Sequence, residues 1–213
     1  PLPDRSAFIA TGLHEGQHPV ALHQPALDLV LDDGDAPGRA QALAVHHAHA
    51  AHAGALRVAE LVQRSLIPKS LPRLKDWQLT AHYEPAAGGR VGGDWYDAFE
   101  LPDGRLIVVV GDVAGHGVTV AGTMAQLRNA LRAQLFAGAS PGDAVTQLND
   151  FAVFMLPGAF ATVLVARVDL TSGAVEAASA GHLMPFLSTS APTAIQAPIR
   201  LSPPIGVNRA KHT

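Results

Sequence analysis

The 213-residue sequence contains no cysteine, and its formal net charge at pH 7 is only −3. The lack of thiols excludes disulfides and thiolate-bound metals. The small negative charge provides no basic field, so we expect no nucleic-acid partner. No apolar run approaches the roughly 20 residues of a membrane helix, and no signal peptide opens the chain. We therefore expect a cytoplasmic protein without membrane insertion.

Hydrophobic residues make up 48% of the sequence and charged residues 15%. This composition favours a globular fold over disorder. Residues 1–38 are rich in Pro, Gly and His, and we interpret them as a partial upstream, sensor-like element or a loop. Residues 39–72 are predicted to be a helical linker able to form a coiled coil, because alanine is frequent and no proline precedes Pro68. Residues 73–213 are predicted to form the main domain.

The main domain is predicted to be α+β, with hairpin-linked, largely antiparallel strands and helices packed against the sheet. One helix is predicted at residues 118–136. A second begins with Ser140 as N-cap, Pro141 at the first helical position and Asp143 two positions later. Strands are predicted at residues 77–85, on both sides of a hairpin over 91–113, and at 160–168, 175–180 and 185–188.

Two aspartates bracket the predicted hairpin, whose PDG turn is centred on Asp103. Asp94 lies nine residues before Asp103 and Asp112 lies nine residues after it. In a regular antiparallel pair they therefore lie nearly opposite each other on one face. Asp97 is predicted to face the other way, in a structural role or in support of the metal ligands. Carboxylates opposite each other repel unless they splay into water, one is protonated, or a cation lies between them.

The neighbouring residues favour a cation. Asp112 follows the apolar run RLIVVVG, and Gly92, Gly93 and Gly111 leave room for backbone near the carboxylates. With oxygen ligands and no cysteine, the ion is expected to be hard, Mg²⁺ or Mn²⁺. The alternative is that both aspartates are polar strand-end residues that terminate pairing.

His116 lies in the stretch GDVAGHG, just before the helix predicted from residue 118. A helix start after a glycine-rich turn attracts anions, so His116 can bind phosphate or act as a general acid on a leaving oxygen. The alternative is a turn residue that caps the helix. Nucleotide binding by this loop is disfavoured, because no Walker lysine and no GxGxxG pattern is present. Together these features indicate metal-assisted hydrolysis of a phosphate ester.

The stretch RVGGDWYDAFELPDGRLIVVVGDVAGHGVTVA, with AELVQRSLIPKSLP before it and AGH after it, resembles the metal-dependent PPM (PP2C-like) protein phosphatases. The match is to the bacterial SpoIIE/RsbU branch and covers about residues 59–207. The resemblance implies an α-β-β-α sandwich and two Mn²⁺ or Mg²⁺ ions. It implies a phosphoserine or phosphothreonine protein as substrate, in this branch usually an anti-anti-sigma factor with a STAS domain.

The resemblance also implies roles for individual residues. Asp94 and Asp112 match the metal-bridging aspartates, and the backbone carbonyl of Val113 matches a further ligand. His116 lies where the family can place a histidine near the substrate phosphate, which makes it a catalytic and substrate-binding candidate. Arg90 is the nearest cation and a candidate phosphate contact, with a surface role equally open.

Three further expectations come from the resemblance. His182, in SAGH, matches a family position, although we interpret it as ordering a turn. The helix before the domain often mediates dimerisation in this branch, so we expect a homodimer through residues 39–72. Two later aspartates that complete the family's metal site have no counterpart before Thr213. We therefore expect a C-terminally truncated domain, for which a catalytically inactive binding module is the alternative function.

Overall fold

The computed structural model describes residues 44–51, 53–54, 58, 61, 65–83, 92–187, 195–200 and 202–207. Four antiparallel strands form one sheet in the order β1-β2-β3-β4, and β5 and β6 form a second, two-stranded sheet. The elements are β1 (Asp94–Glu100), β2 (Leu106–Val113), α1 (Val118–Phe136), α2 (Pro141–Met155), β3 (Ala161–Val168), β4 (Val175–Ala180), β5 (Phe186–Leu187) and β6 (Ile195–Gln196).

The core lies between the four-stranded sheet and the two helices. On β2, Ile107, Val109 and Val113 are buried, and they belong to the same cluster as Met124 and Leu127 of α1. Alternate residues of a strand point to one face, so this odd-numbered set faces the helices. The α+β class predicted from the sequence, with antiparallel strands and helices packed against the sheet, is confirmed.

The opposite face of the sheet is covered as well. Leu106, Leu164 and Val168 are each less than 10% exposed, and the strand register places them on the face away from the helices. The chain upstream of the sheet also contacts the domain, because the Trp77 indole Nε1 donates to the Leu170 carbonyl oxygen at 2.9 Å. Partial burial of this second face agrees with the predicted layered architecture.

The prediction of a strand at residues 77–85 is wrong for residues 77–83, which belong to no strand in the structure. Residues 84 and 85 lie outside the described residues. Residues 77–80 do alternate between partly buried and exposed. That alternation is the signal that suggested a strand. The alternation arises because side chains such as Trp77 pack on the domain, and not because these residues pair with a strand of the sheet.

Both predicted helices are confirmed. Helix α1 spans residues 118–136 as predicted, and its buried side includes Leu131 and Leu135. Helix α2 begins at Pro141, and its N-cap Ser140 accepts a hydrogen bond from the backbone N–H of Asp143 at 3.1 Å. The Ser140 hydroxyl in turn donates to the Asp143 carboxylate at 2.7 Å. This reciprocal cap is why the chain turns into α2 at this point.

The predicted linker lies partly within the described residues. Residues 44–51 are helical and exposed, and the last helical residue before Pro68 is Leu66, which packs against the core of the domain. The element predicted at residues 1–38 lies outside the described residues, and the domain boundaries stay predictions. Over the described ranges, the structure contains no helix with the length and hydropathy needed to cross a membrane.

Candidate active site

Asp94 and Asp112 are direct cross-strand partners at the open end of the β1–β2 hairpin. The register inferred by counting from the turn is therefore confirmed. The Val113 N–H donates to the Gly93 carbonyl oxygen at 3.1 Å, so the next pair, Asp94 and Asp112, falls at a non-hydrogen-bonded position. Side chains are closest at such positions, with Cα atoms about 4.5 Å apart. Both aspartates are exposed, so a solute ion can reach them.

Gly93 lies directly against the backbone carbonyl of Val113. A Cβ atom at position 93 would lie 1.9 Å from the Val113 carbonyl oxygen, which no side chain can tolerate. Gly111 is constrained in a different way, because a Cβ there would lie 2.3 Å from the ring of Trp95. Glycine is therefore required at position 93 because two backbone segments approach closely there. It is required at position 111 because the Trp95 indole packs against the backbone.

Asp97 faces away from this pair, as predicted. Its side chain is 3% exposed and lies between the sheet and α1, with Oδ2 3.0 Å from Arg128 Nη2 and 3.4 Å from Arg132 Nη1. The contact to Arg128 has the distance of an ion pair but not the alignment of a hydrogen bond, because Oδ2 has no hydrogen-bond partner among the described residues. Burial lowers the pKa of Arg128, and the charge of Asp97 opposes that shift. This network fixes β1 against α1.

The loop between β2 and α1 carries His116, which is exposed at the start of α1. Gly115 and Gly117 adopt φ values of 108° and 96°, a region that favours glycine. The N-cap residue Gly117 supplies no side-chain cap, and the first turn of α1 contains no acidic residue. The first N–H groups of the helix therefore face no side-chain anion of that turn, an arrangement suited to a phosphate oxygen.

Thr162 and His182 also lie near Asp112, and neither was predicted from the sequence to belong to the site. Thr162 of β3 is the cross-strand partner of Asp112. Its Oγ1 is 2.8 Å from His182 Nδ1. The AGH motif was the sequence feature that could have indicated this position. The predicted turn role accounts for the backbone of His182 but not for the contact of its ring with Thr162.

Arg90, the predicted phosphate contact, lies outside the described residues, so its prediction stands as it was made. Within the parts of the chain that the structure describes, no group of three or more His, Asp or Glu side chains is arranged to hold a metal ion. The candidate ligand set consists of Asp94, Asp112 and the Val113 carbonyl. These oxygen donors fit a hard divalent cation that completes its shell with water or substrate.

Comparison with known proteins places this geometry in a family. Residues 102–213, more than half of the chain, match the family profile described as "Stage II sporulation protein E (SpoIIE)". Protein IcfG of Synechocystis sp. is 46% identical over 83 residues, which are 38% of this chain and 12% of that protein.

Two solved structures are also similar. The RsbU and RsbW domains of Rv1364c from Mycobacterium tuberculosis share 39% identity, with a TM-score of 0.53, over 62% of this chain and 36% of that one. The PP2C phosphatase domain of SpoIIE from Bacillus subtilis, solved with a fragment of its regulatory domain, shares 20% identity with a TM-score of 0.47. That match covers 58% of this chain and 36% of the SpoIIE chain.

The chain thus spans about a third of the length of these solved chains and about an eighth of Protein IcfG. The matched region contains Asp112, Val113, His116, Thr162 and His182, while Asp94 lies just before it. The chain belongs to the SpoIIE family and carries a PP2C-like phosphatase domain of the SpoIIE/RsbU type.

Proposed function

We propose that this chain is the catalytic part of a metal-dependent phosphatase that hydrolyses phosphoserine or phosphothreonine on a regulatory protein. The observation that carries the proposal is the direct cross-strand pairing of Asp94 with Asp112. Two exposed carboxylates at a non-hydrogen-bonded position repel each other, and a shared divalent cation removes that repulsion. Membership of a phosphatase family supports the same chemistry.

Each residue of the site has a definable task in this reaction. Asp94, Asp112 and the Val113 carbonyl hold Mn²⁺ or Mg²⁺, of which the family resemblance implies two ions. When bound, the metal lowers the pKa of a coordinated water and neutralises charge on the phosphoryl oxygens. The first turn of α1 orients the phosphate through its backbone N–H groups. In this proposal the His116 imidazole, which is exposed, gives a proton to the serine or threonine oxygen that leaves.

The proposed substrate is a phosphorylated anti-anti-sigma protein with a STAS domain, encountered in the cytoplasm. The support is the resemblance to the RsbU branch, together with the 39% identity to the RsbU and RsbW domains of Rv1364c. We also propose that the chain dimerises through residues 39–72. Val45, Val58 and Leu61 in that region are 49%, 56% and 68% exposed, and a partner helix would cover such side chains.

The test is release of inorganic phosphate from a phosphoserine STAS protein, with Mn²⁺ and with the metal removed by a chelator. We expect turnover that depends on Mn²⁺ and falls by at least about 100-fold in Asp94→Asn and in Asp112→Asn, because each loses a charged ligand. Asp150→Asn is the matched control, since Asp150 is an exposed carboxylate on α2, away from the hairpin. Metal-independent turnover, or full activity in both site variants, would refute the proposal.

A second function is favoured by one specific observation. The described residues contain no cluster of three metal-binding side chains, and fewer carboxylate ligands mean weaker metal binding. The chain would then act as a phosphatase-like module that binds its partner without hydrolysing it. Binding of the phosphorylated STAS protein that is unchanged in Asp94→Asn, together with no phosphate release by the wild-type chain, would establish this second function.

A further inference from the structure

The site continues across a third strand. The register joins Asp94 of β1 to Asp112 of β2, and Asp112 to Thr162 of β3. Direct cross-strand partners share one face of a sheet, with Cβ atoms about 4.5–5.5 Å apart. The Thr162 hydroxyl therefore lies within reach of the Asp112 carboxylate and could donate a hydrogen bond to it. Such a bond would occupy one of the carboxylate lone pairs, which would otherwise be open to a cation.

The Thr162 hydroxyl has a different partner in the structure. Its Oγ1 lies 2.8 Å from Nδ1 of His182, which follows the end of β4. A threonine hydroxyl has one proton, so a hydroxyl that donates to the imidazole cannot donate to Asp112 at the same time.

The backbone around His182 is held in place on both sides. Gly181 adopts a φ of 64°, and its N–H donates to the Ser202 carbonyl oxygen at 2.8 Å. A Cβ at position 181 would lie 2.5 Å from Pro204 Cγ, so only glycine lets the chain pass here. The Ser179 hydroxyl donates to the His182 carbonyl oxygen at 3.1 Å. The imidazole is therefore presented to Thr162 by a fixed turn.

The neutral form of His182 can accept a hydrogen bond at Nδ1. Burial lowers the pKa of His182, and the negative charge of Asp112 opposes that shift. A neutral imidazole has one acceptor nitrogen and one N–H. The other ring nitrogen, Nε2, is buried and has no hydrogen-bond partner among the described residues.

We propose that His182 is a positioning residue of the metal site, because its Nδ1 accepts a hydrogen bond from the Thr162 hydroxyl and so keeps that hydroxyl off the Asp112 carboxylate. The lone pair of Asp112 that this hydroxyl would take then stays available for a divalent cation. The inference rests on the proposed function, since it assigns Asp112 to the metal. It adds a specific task for two residues that do not themselves bind the ion.

The first test needs no metal. Long-range ¹H–¹⁵N correlation spectra of the metal-free chain report which imidazole nitrogen carries the proton. We expect His182 to be neutral with its proton on Nε2. A proton on Nδ1 would overturn the proposal, because the Thr162 hydroxyl would then be the acceptor and free to donate to Asp112. A crystal structure of His182→Ala should show Thr162 Oγ1 within about 3.2 Å of an Asp112 carboxylate oxygen.

The second test is a double-mutant cycle on Mn²⁺ affinity, measured by the paramagnetic resonance signal of the free ion. We expect His182→Ala to weaken Mn²⁺ binding by about 10-fold to 100-fold, the usual range for groups that orient metal ligands. Thr162→Val, which removes the hydroxyl but keeps the shape, should bind Mn²⁺ like the wild type. The double variant should recover most of the loss, because no hydroxyl remains to compete.

Controls separate this role from a structural one. His49→Ala removes an exposed histidine of the upstream helix and should leave the affinity unchanged. If His182 only stabilised the turn, Thr162→Val would not rescue His182→Ala, and the proposal would be wrong. If the wild-type chain bound no Mn²⁺ at all, the proposed function would fail. The role of His182 at a metal site would fail with it, while the tautomer of His182 and the position of Thr162 in His182→Ala would still show whether His182 keeps the hydroxyl off Asp112.

Discussion

Asp97 of β1 and Arg128 of α1 form a buried ion pair, with 3.0 Å between Oδ2 and Nη2. The two side chains are 3% and 10% exposed, so both charges lie almost entirely outside water. Arg132 adds a second positive charge at 3.4 Å from the same oxygen, and its guanidinium lies 4.7 Å from the centre of the Phe99 ring. The pair ties the strand that begins with Asp94 to the helix that begins beside His116.

Removing the negative member of this pair should be costly. In Asp97→Asn the Arg128 charge stays buried without its partner, which typically destabilises a protein by about 3–5 kcal/mol. We expect the free energy of unfolding in urea to fall by about 3 kcal/mol, since Arg132 is partly exposed and can turn to solvent. The exposed Asp150→Asn should change it by less than about 0.5 kcal/mol. Similar stabilities for the two variants would contradict the role given to Asp97.

Gly93 and Gly122 should respond in opposite ways to the same substitution. Gly93→Ala places a Cβ 1.9 Å from the Val113 carbonyl oxygen, so the hairpin must open next to Asp94 and Asp112. We expect a loss of about 1–3 kcal/mol in stability and at least about tenfold weaker Mn²⁺ binding. Gly122→Ala, in open space within α1, should raise stability by about 0.5–1 kcal/mol and leave Mn²⁺ affinity unchanged. Calorimetric titration and urea unfolding measure both effects, and wild-type Mn²⁺ binding by Gly93→Ala would contradict the prediction.

Ser140 should contribute to stability through its cap on α2. Ser140→Ala removes the acceptor for the Asp143 N–H, a change that costs about 1 kcal/mol at helix N-caps. Ser140→Asp keeps an acceptor oxygen and should retain more of the stability, although it places a second carboxylate beside Asp143. Urea unfolding of the three proteins would reveal the order. An alanine variant as stable as the wild type would show that the cap contributes little.

Asp169 should make the turn between β3 and β4 sensitive to acid. Hydrogen bonds from Ser172 and Thr171 hold the pKa of Asp169 below its ordinary value of 3.8. A depressed carboxyl pKa means that the unfolded chain binds more protons, so stability is present above about pH 3.8 and is lost as the pH falls through the folded-state pKa.

Asp169→Ala tests this directly. It should be less stable than the wild type at pH 7, and the difference should shrink as the pH falls below 3.8. Asp169→Asn keeps an acceptor oxygen but cannot titrate, so it should preserve the turn over the whole range. Chemical unfolding at a series of pH values measures the difference, and a gap between wild type and Asp169→Ala that stays constant would argue against the linkage.

Residues that are close together in the sequence were sufficient to predict much of the fold. The PDG turn and the count of residues on each side of it fixed the partnership of Asp94 with Asp112, because side chains in a hairpin alternate with a period of two. Ser140, Pro141 and Asp143 fixed the start of α2 through a cap made within four residues. The motif residues around Asp94 and Asp112 pointed to the phosphatase family before any fold was known.

Long-range packing decided the rest. The alternation at residues 77–80 resembles a strand, but only the folded chain shows that Trp77 docks on Leu170 instead. Thr162 and His182 are 20 residues apart, and Asp97 and Arg128 lie on different elements, so no local pattern pairs them. The sequence alone determined the hairpin, its two aspartates and both helix starts, because these depend on neighbours along the chain. Tertiary structure decided which hydroxyl lies beside Asp112 and which charge balances Asp97, since those contacts form only when β3, β4 and α1 pack together.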